Sequence, residues 1–163
     1  MTVEQYLHTS FEVEPDYIDG KLVKRHVGSL PHASAKGRML ELLSGLQGFS
    51  WDAYLSLTLI MSPTRCRVAD VVAFAKKPEK DYPDEPGELA IEIVEREDRF
   101  GEMMQRLADY HVWGIKHIWL VDPWNYKLYI YDSSGIHEVS SFELPEFGAR
   151  ILPAEIFAQT PQQ

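Results

Sequence analysis

The sequence predicts an α/β (α+β) fold, a mixed β-sheet flanked by helices with an N-terminal β-hairpin. Three observations carry that prediction. An Asp-Gly turn joins two short apolar arms near the start, several strand-like apolar runs fill the middle and the second half, and two amphipathic stretches at helical spacing separate them.

Each element has its own reason. Thr2 followed by Gln5 has the spacing of a capping box and opens a short helix over 3–8. Tyr17-Ile18-Asp19-Gly20-Lys21-Leu22-Val23 reads as a hairpin, because Asp-Gly tolerates the positive φ that a tight turn demands. Residues 32–47 place Met39, Leu40, Leu42, Leu43 and Leu46 on one broad face and stop at Gly48, which predicts a core helix. Strands over 52–61 and 66–75, joined by Ser62-Pro63-Thr64, pair antiparallel. Pro78, Pro83 and Pro86 among acids make 77–87 an exposed loop before the short buried strand "ELAIEIV" of residues 88–94. A helix over 98–113 follows. "HIWLVD" (117–122) and "KLYIYD" (127–132) are strands split by Pro123-Trp124-Asn125, and a last strand near 136–142 precedes a short turn of helix. The 163 residues contain no repeat or linker and suffice for one domain, 1–163, with one real core.

Composition narrows the function. At 45% hydrophobic and 12% aromatic the chain is not disordered. No apolar run approaches the roughly 18–20 residues of a membrane span, so a soluble protein with no membrane partner is expected. The N-terminus has no signal-peptide pattern and Cys66 is the lone cysteine, so the expected setting is reducing and cytoplasmic. A net charge of -9 opposes binding of nucleic acid by bulk attraction. The charge is uneven, however. Lys21, Lys24, Arg25, Lys36 and Arg38 fall between Gly20 and Leu40 without an acid, whereas Glu79 to Glu102 holds ten acids against Lys80, Arg96 and Arg99. These are either two solvated faces or a basic rim beside a cation-seeking centre.

Two carboxylates interrupt apolar strands. By strict alternation Glu92 shares a face with Ala90 and Val94, and Asp70 shares one with Val68 and Val72, opposite Ala69, Val71 and Ala73. If the strands are neighbours the carboxylates converge, and an uncompensated pair is costly. A hard divalent cation such as Mg²⁺ (or Mn²⁺), which takes oxygen ligands, would compensate them; so would salt bridges to Arg65, Arg67 or Arg96. The six histidines lack a zinc spacing, and neither a glycine-rich phosphate loop nor G-x-S-x-G occurs. Trp113, Trp119, Trp124, Tyr126, Tyr129 and Tyr131 either stack on bases or pack the sheet. His32 either approaches the site or caps its helix.

"DYIDGKLV", His32 with Arg38 and Met39 at the start of a leucine-rich helix, "VADVVAF", "ELAIEIV" and "YHVWGIKHIWLVDP" come in an order that resembles the Uma-type family of restriction-endonuclease-like proteins, part of the PD-(D/E)XK nuclease superfamily. The likeness runs from about residue 4 to residue 132, and "GIKHIWLVDP" is its most specific piece. It implies a restriction-endonuclease-like fold and a DNA endonuclease in which Asp70 and Glu92 hold Mg²⁺ (or Mn²⁺) with the Ile93 carbonyl, and a metal-activated water attacks the phosphodiester.

The superfamily's lysine, two residues after the glutamate, would fall at Val94. In this family it sits on the following helix, at Arg106 here. Asp16 stands where the family has glutamate, and Ala69 where it has proline. The catalytic set implied is Asp70, Glu92, Arg106 and Asp16. Lys21, Lys24, Arg25, Lys36 and Arg38 form the DNA-binding surface, with a homodimer as a further possibility. Arg106 is either in that site or an exposed residue paired with Glu102. Because a guanidinium stays protonated, the competing reading is a catalytically silent descendant serving as a nucleic-acid-binding or assembly module.

Overall fold

The computed structural model describes residues 1–26 and 28–157; Val27 and residues 158–163, which the expected domain includes, lie outside the described residues. The first helix, α1 (Val3–Leu7), is closed by the expected reciprocal cap: Thr2 Oγ1 accepts from the Gln5 amide at 3.1 Å, and Gln5 Oε1 accepts from the Thr2 amide at 2.8 Å. It buries Tyr6 against Tyr17 of β1 (Asp16–Ile18). Asp19 and Gly20, at φ 48° and 87°, turn β1 into β2 (Lys21–Val23). Next come α2 (Leu30–Ser44), β3 (Asp52–Ser62), β4 (Arg65–Phe74), β5 (Leu89–Ile93) and α3 (Phe100–Trp113). The chain continues through β6 (His117–Asp122), β7 (Lys127–Asp132), β8 (Gly135–Val139), β9 (Phe142–Leu144), β10 (Ala149–Ile151) and α4 (Pro153–Ile156).

Among the described residues, the strand order is β2-β1-β4-β5-β6-β7-β8 with β3 also on β4, and β9 and β10 form a separate hairpin. Pairing is antiparallel except between β5 and β6, which are parallel and joined by the α3 crossover. One face of the sheet is covered by α2, α4 and the β9–β10 hairpin. There Ala35, Met39 and Leu43 meet Val71, Leu89, Ile91 and Ile93, and Trp119 stacks on Phe142 at 4.2 Å. The other face is covered by α3, whose Met103, Leu107 and Tyr110 pack on Val72, Phe74, Ala90 and Leu120. Among the described residues, no helix is long and apolar enough to cross a membrane.

Two expectations are corrected. The strand expected through residue 142 ends at Val139. A separate three-residue strand follows and turns back through Pro145–Phe147 and Gly148 at φ 58°. Strands that short carry too little alternation to be read. The second correction concerns Asp70. Ala69 packs on the α3 side with Val72 and Phe74, not with Val71 and Ala73. The regular pairs Leu55↔Val71 and Leu57↔Ala69 leave Ser56 opposite Asp70, and Ser56 has φ 51°. That left-handed residue interrupts the ladder and puts Asp70 out of step with its own strand.

The pairing of β4 locates the site. β3 lines one edge of β4 over its whole length. β1 and β5 must therefore share the other edge: β1 pairs at Arg65 and Cys66, and β5 at Val71 to Ala73. Residues 67–70 lie in the gap between them, where side chains take the place of a strand.

Candidate active site

Asp70 and Asp16 fill that gap from two sides. Asp70 Oδ2 accepts from the Ile93 amide at 2.9 Å, and Asp16 Oδ1 accepts from the Val68 amide at 2.9 Å, so each carboxylate satisfies a backbone donor that a neighbouring strand would otherwise take. Asp70 is also ringed by cations. Arg25 Nη2 lies 3.1 Å from Oδ1, Lys36 Nζ 3.8 Å from Oδ1, and His32 Nε2 3.3 Å from Oδ2. Burial alone would raise its pKa, but His32, Arg25 and the Ile93 amide outweigh burial and hold the carboxyl below its usual range. In return, His32 is raised above its ordinary value: burial opposes this, and the bond to Asp70 overcomes it. His32 thus approaches the site, and its amide also lies 3.4 Å from the capping Ser29 hydroxyl.

Glu92 reaches into the opposite layer. The pairs Val71↔Ile91 and Val72↔Ala90 bring it beside Asp70 at the fork, but its side chain meets α3. Arg106 Nη1 lies 3.3 Å from Oε2, and the Tyr110 hydroxyl donates to Oε1. Glu92 is 1% exposed. Burial, then the nearby Asp70 charge, pushes its pKa up to about 8, against the pull of Arg106. Of the two carboxyls, Asp70 is the stronger acid and Glu92 the weaker. The strands are neighbours, as convergence requires, and the pair straddles the sheet: the break at Asp70 sends one carboxyl toward α2 and regular alternation sends the other toward α3.

Arg106 pairs with Glu92 and with Asp16, at 3.2 Å from Nη2, rather than with Glu102. Its Nε is buried without a hydrogen-bond partner among the described residues. Asp16 is wholly buried and also accepts from Arg67 Nη1 at 2.9 Å. Arg67 in turn bonds Asp109 through Nε at 2.8 Å and Nη2 at 2.5 Å, and Arg65 reaches the same carboxylate at 2.6 Å. The arginines expected as partners of Asp70 and Glu92 are thus engaged elsewhere. Arg65 and Arg67 hold Asp109, and Arg96 lies 4.3 Å over the Trp124 ring.

A cleft of about 220 Å³ opens over this gap, with room for a phosphate group and a few waters. Lys24, Arg25, His26, His32, Asp70 and Arg106 are among its lining residues. Of the expected DNA-binding set, the structure brings Lys24, Arg25 and Lys36 to the cleft or to Asp70. Lys21 is exposed on β2, and Arg38 is turned away, its Nε donating to the Glu155 carbonyl at 2.8 Å and its Nη1 3.0 Å from Glu41.

Sequence reading missed Glu95, which accepts from the Ser29 amide at 2.8 Å and hydroxyl at 2.7 Å and so ties the start of α2 to the loop after β5. It also missed the Tyr110 contact with Glu92. The four-residue spacing from Arg106 to Tyr110 was the available signal.

The donor chemistry suits a hard cation. Asp70 and Glu92 offer carboxylate oxygens from neighbouring strands, and Ile93 borders the cleft. Among the described residues, no three His, Cys, Asp or Glu side chains stand together as a ligand cage, which leaves water to complete a Mg²⁺ shell. A cation on Asp70 would take the place that Arg25 and His32 fill.

A mixed sheet between two helical layers, with acids and bases converging at a strand fork, is the frame of a nuclease-like fold. Residues 3–160 match the model of the Uma2 family, described as "putative restriction endonuclease", and the chain belongs to that family. A crystal structure described as a "putative nuclease belonging to DUF820" from Anabaena variabilis is similar over 97% of this chain and 98% of its own, with TM-score 0.85 and 15% identity. No curated protein matches the chain.

Proposed function

We propose that the protein is a Mg²⁺-dependent DNA endonuclease of PD-(D/E)XK type, with Asp70, Glu92 and the Ile93 carbonyl as cation ligands. The observation that carries this reading is Asp70 at the gap in the β4 edge, lining a cleft with Lys24, Arg25, His32 and Arg106, with Glu92 on the neighbouring strand near enough to respond to its charge. When bound, Mg²⁺ or Mn²⁺ lowers the pKa of a water and offsets charge on the phosphate.

The chain's own residues do the rest. Arg25 and Lys24 offer charge-assisted donors to phosphate oxygens from the cleft wall, and Arg106 adds positive charge beside them. Arg106 orients but does not exchange a proton at neutral pH, because its two buried acid partners raise an already high pKa. Asp16 holds Arg106 and Arg67 in place from behind and is a positioning residue. The shared central sheet supports reading residues 1–163 as one domain. A homodimer is proposed as its working state, with sedimentation as the check.

Nicking of supercoiled plasmid by purified protein in Mg²⁺ or Mn²⁺ tests the proposal, with Asp70→Asn as the control for contaminating nuclease. Cleavage that Asp70→Asn abolishes supports it; equal cleavage by both proteins, or none by either, removes it. One observation favours the silent-module reading: both oxygens of Asp70 and of Glu92 already have partners, and Arg106 stands where a lysine is expected. DNA binding without turnover, unrelieved by Arg106→Lys, would establish that alternative.

A further inference from the structure

In the cleft Arg25 and Asp70 neutralise each other. Arg25 lies just after β2, within residues 24–26 that are neither helix nor strand, and it borders the cleft. Lys36, farther off at 3.8 Å, is also bonded to the Ser56 hydroxyl on β3. Arg106 is pinned by two buried acids. Of the arginines and lysines paired with Asp70 or Glu92, Arg25 is therefore the one with a single side-chain partner among the described residues. A guanidinium on a carboxylate competes for the lone pairs a divalent cation needs, and the two non-bridging oxygens of a phosphodiester offer the guanidinium another bidentate acceptor.

We infer that Arg25 holds Asp70 in the free protein and passes to the DNA phosphate in the complex, so that divalent metal and DNA bind with positive coupling. The inference rests on Asp70 being a metal ligand, as proposed above. Without DNA, a cation must displace Arg25 from Asp70 and leave a guanidinium without its anion. With DNA, the phosphate has already drawn Arg25 off, and Oδ1 of Asp70 loses its nearest cation while His32 stays on Oδ2 and Lys36 stays farther off. Each ligand then tightens the other by the same factor.

Mn²⁺ titrations, with free Mn²⁺ counted by electron paramagnetic resonance, test this with and without a phosphorothioate-linked duplex that is cleaved slowly. Asp70→Asn protein subtracts Mn²⁺ held by the duplex itself. For the parent protein the duplex is expected to tighten Mn²⁺ roughly fivefold or more. Arg25→Gln is expected to bind Mn²⁺ more tightly than the parent when the duplex is absent, and to gain nothing when it is added. Equal parent affinity with and without duplex overturns the inference, as does coupling that survives in Arg25→Gln; either result leaves the metal site standing. Absence of Asp70-dependent Mn²⁺ binding in every sample removes the metal site and this inference together. Should Arg25→Gln fail to fold, the parent decides alone: duplex affinity by fluorescence anisotropy must rise with Mn²⁺ by the factor the titration gives, and an unequal or absent rise refutes the coupling.

Discussion

Two clusters of buried charge lie side by side along β4, and they are built differently. In the Asp16–Arg67–Asp109 knot, three residues with almost no solvent exposure share three hydrogen bonds, four counting the Val68 amide, and the charges close on one another. In the Asp70–Glu92 pair a few residues away, the acids face different layers, their pKa values are pushed in opposite directions, and the cations around them reach solvent through a cleft. A knot whose partners are fixed holds strands together. A cluster whose partners can be exchanged for a ligand is where binding and chemistry are affordable.

If that contrast is right, the largest effect belongs to the knot. Arg67→Ala leaves Asp16 and Asp109 buried without their main counter-charge, and is expected to cost about 3–5 kcal/mol in urea unfolding. A cost near that of a surface ion pair would show that the knot is not what holds β1 to β4.

Glu92→Gln probes the second cluster through pH. In the folded protein Glu92 keeps its proton to about pH 8, whereas the unfolded chain loses it near the ordinary value of 4.5. Folding therefore takes up a proton between those values, and stability falls as pH rises through that window. The glutamine variant does not titrate there, so it gains on the parent from pH 5 to pH 8, by on the order of 2 kcal/mol. Parallel stability curves for the two proteins would contradict the raised pKa.

Asp70→Asn comes next in stability, although its effect on metal is expected to be large. Sequence reasoning allows this change to stabilise the fold by relieving carboxylate repulsion; the ring of Arg25, His32 and Lys36 reverses the sign. The cost is about 1–2 kcal/mol near pH 7, since those cations keep partial access to water. A carboxyl depressed in the folded state stabilises above its unfolded pKa and loses that contribution in acid, so the difference between variant and parent shrinks as pH falls below about 4. Thermal melts at pH 7 and in acid measure both, and a stabilised variant at pH 7 would reverse the argument.

Smaller still is Ser29→Ala. It removes one of the two bonds that clasp Glu95, together with the cap of α2, for about 1 kcal/mol. The smallest effect is on DNA affinity by Arg38→Ala, expected to be nil because Arg38 is held against α4, whereas Lys24→Ala lowers the log-log salt slope by about 1. Equal losses from both changes would mean that the DNA surface extends past the cleft.

Most elements follow from local pattern. The Thr2 cap, the Asp19-Gly20 turn, the proline-bounded loop and the α2 and α3 periodicities each act within a few residues, so the chain specifies them wherever it folds. Asp70 and Glu92 could be singled out for the same reason, as carboxylates within apolar strands. What sequence alone did not determine is the partner of each charge. Arg67 meets Asp16 across 51 positions and Arg106 meets Asp16 across 90, and no local pattern encodes such pairs. Tertiary structure also decided which way Asp70 faces, because a left-handed Ser56 on another strand breaks the alternation that the sequence of β4 implies. Periodicity is a property of one segment, whereas the gap between β1 and β5 exists only once β4 has neighbours on both edges.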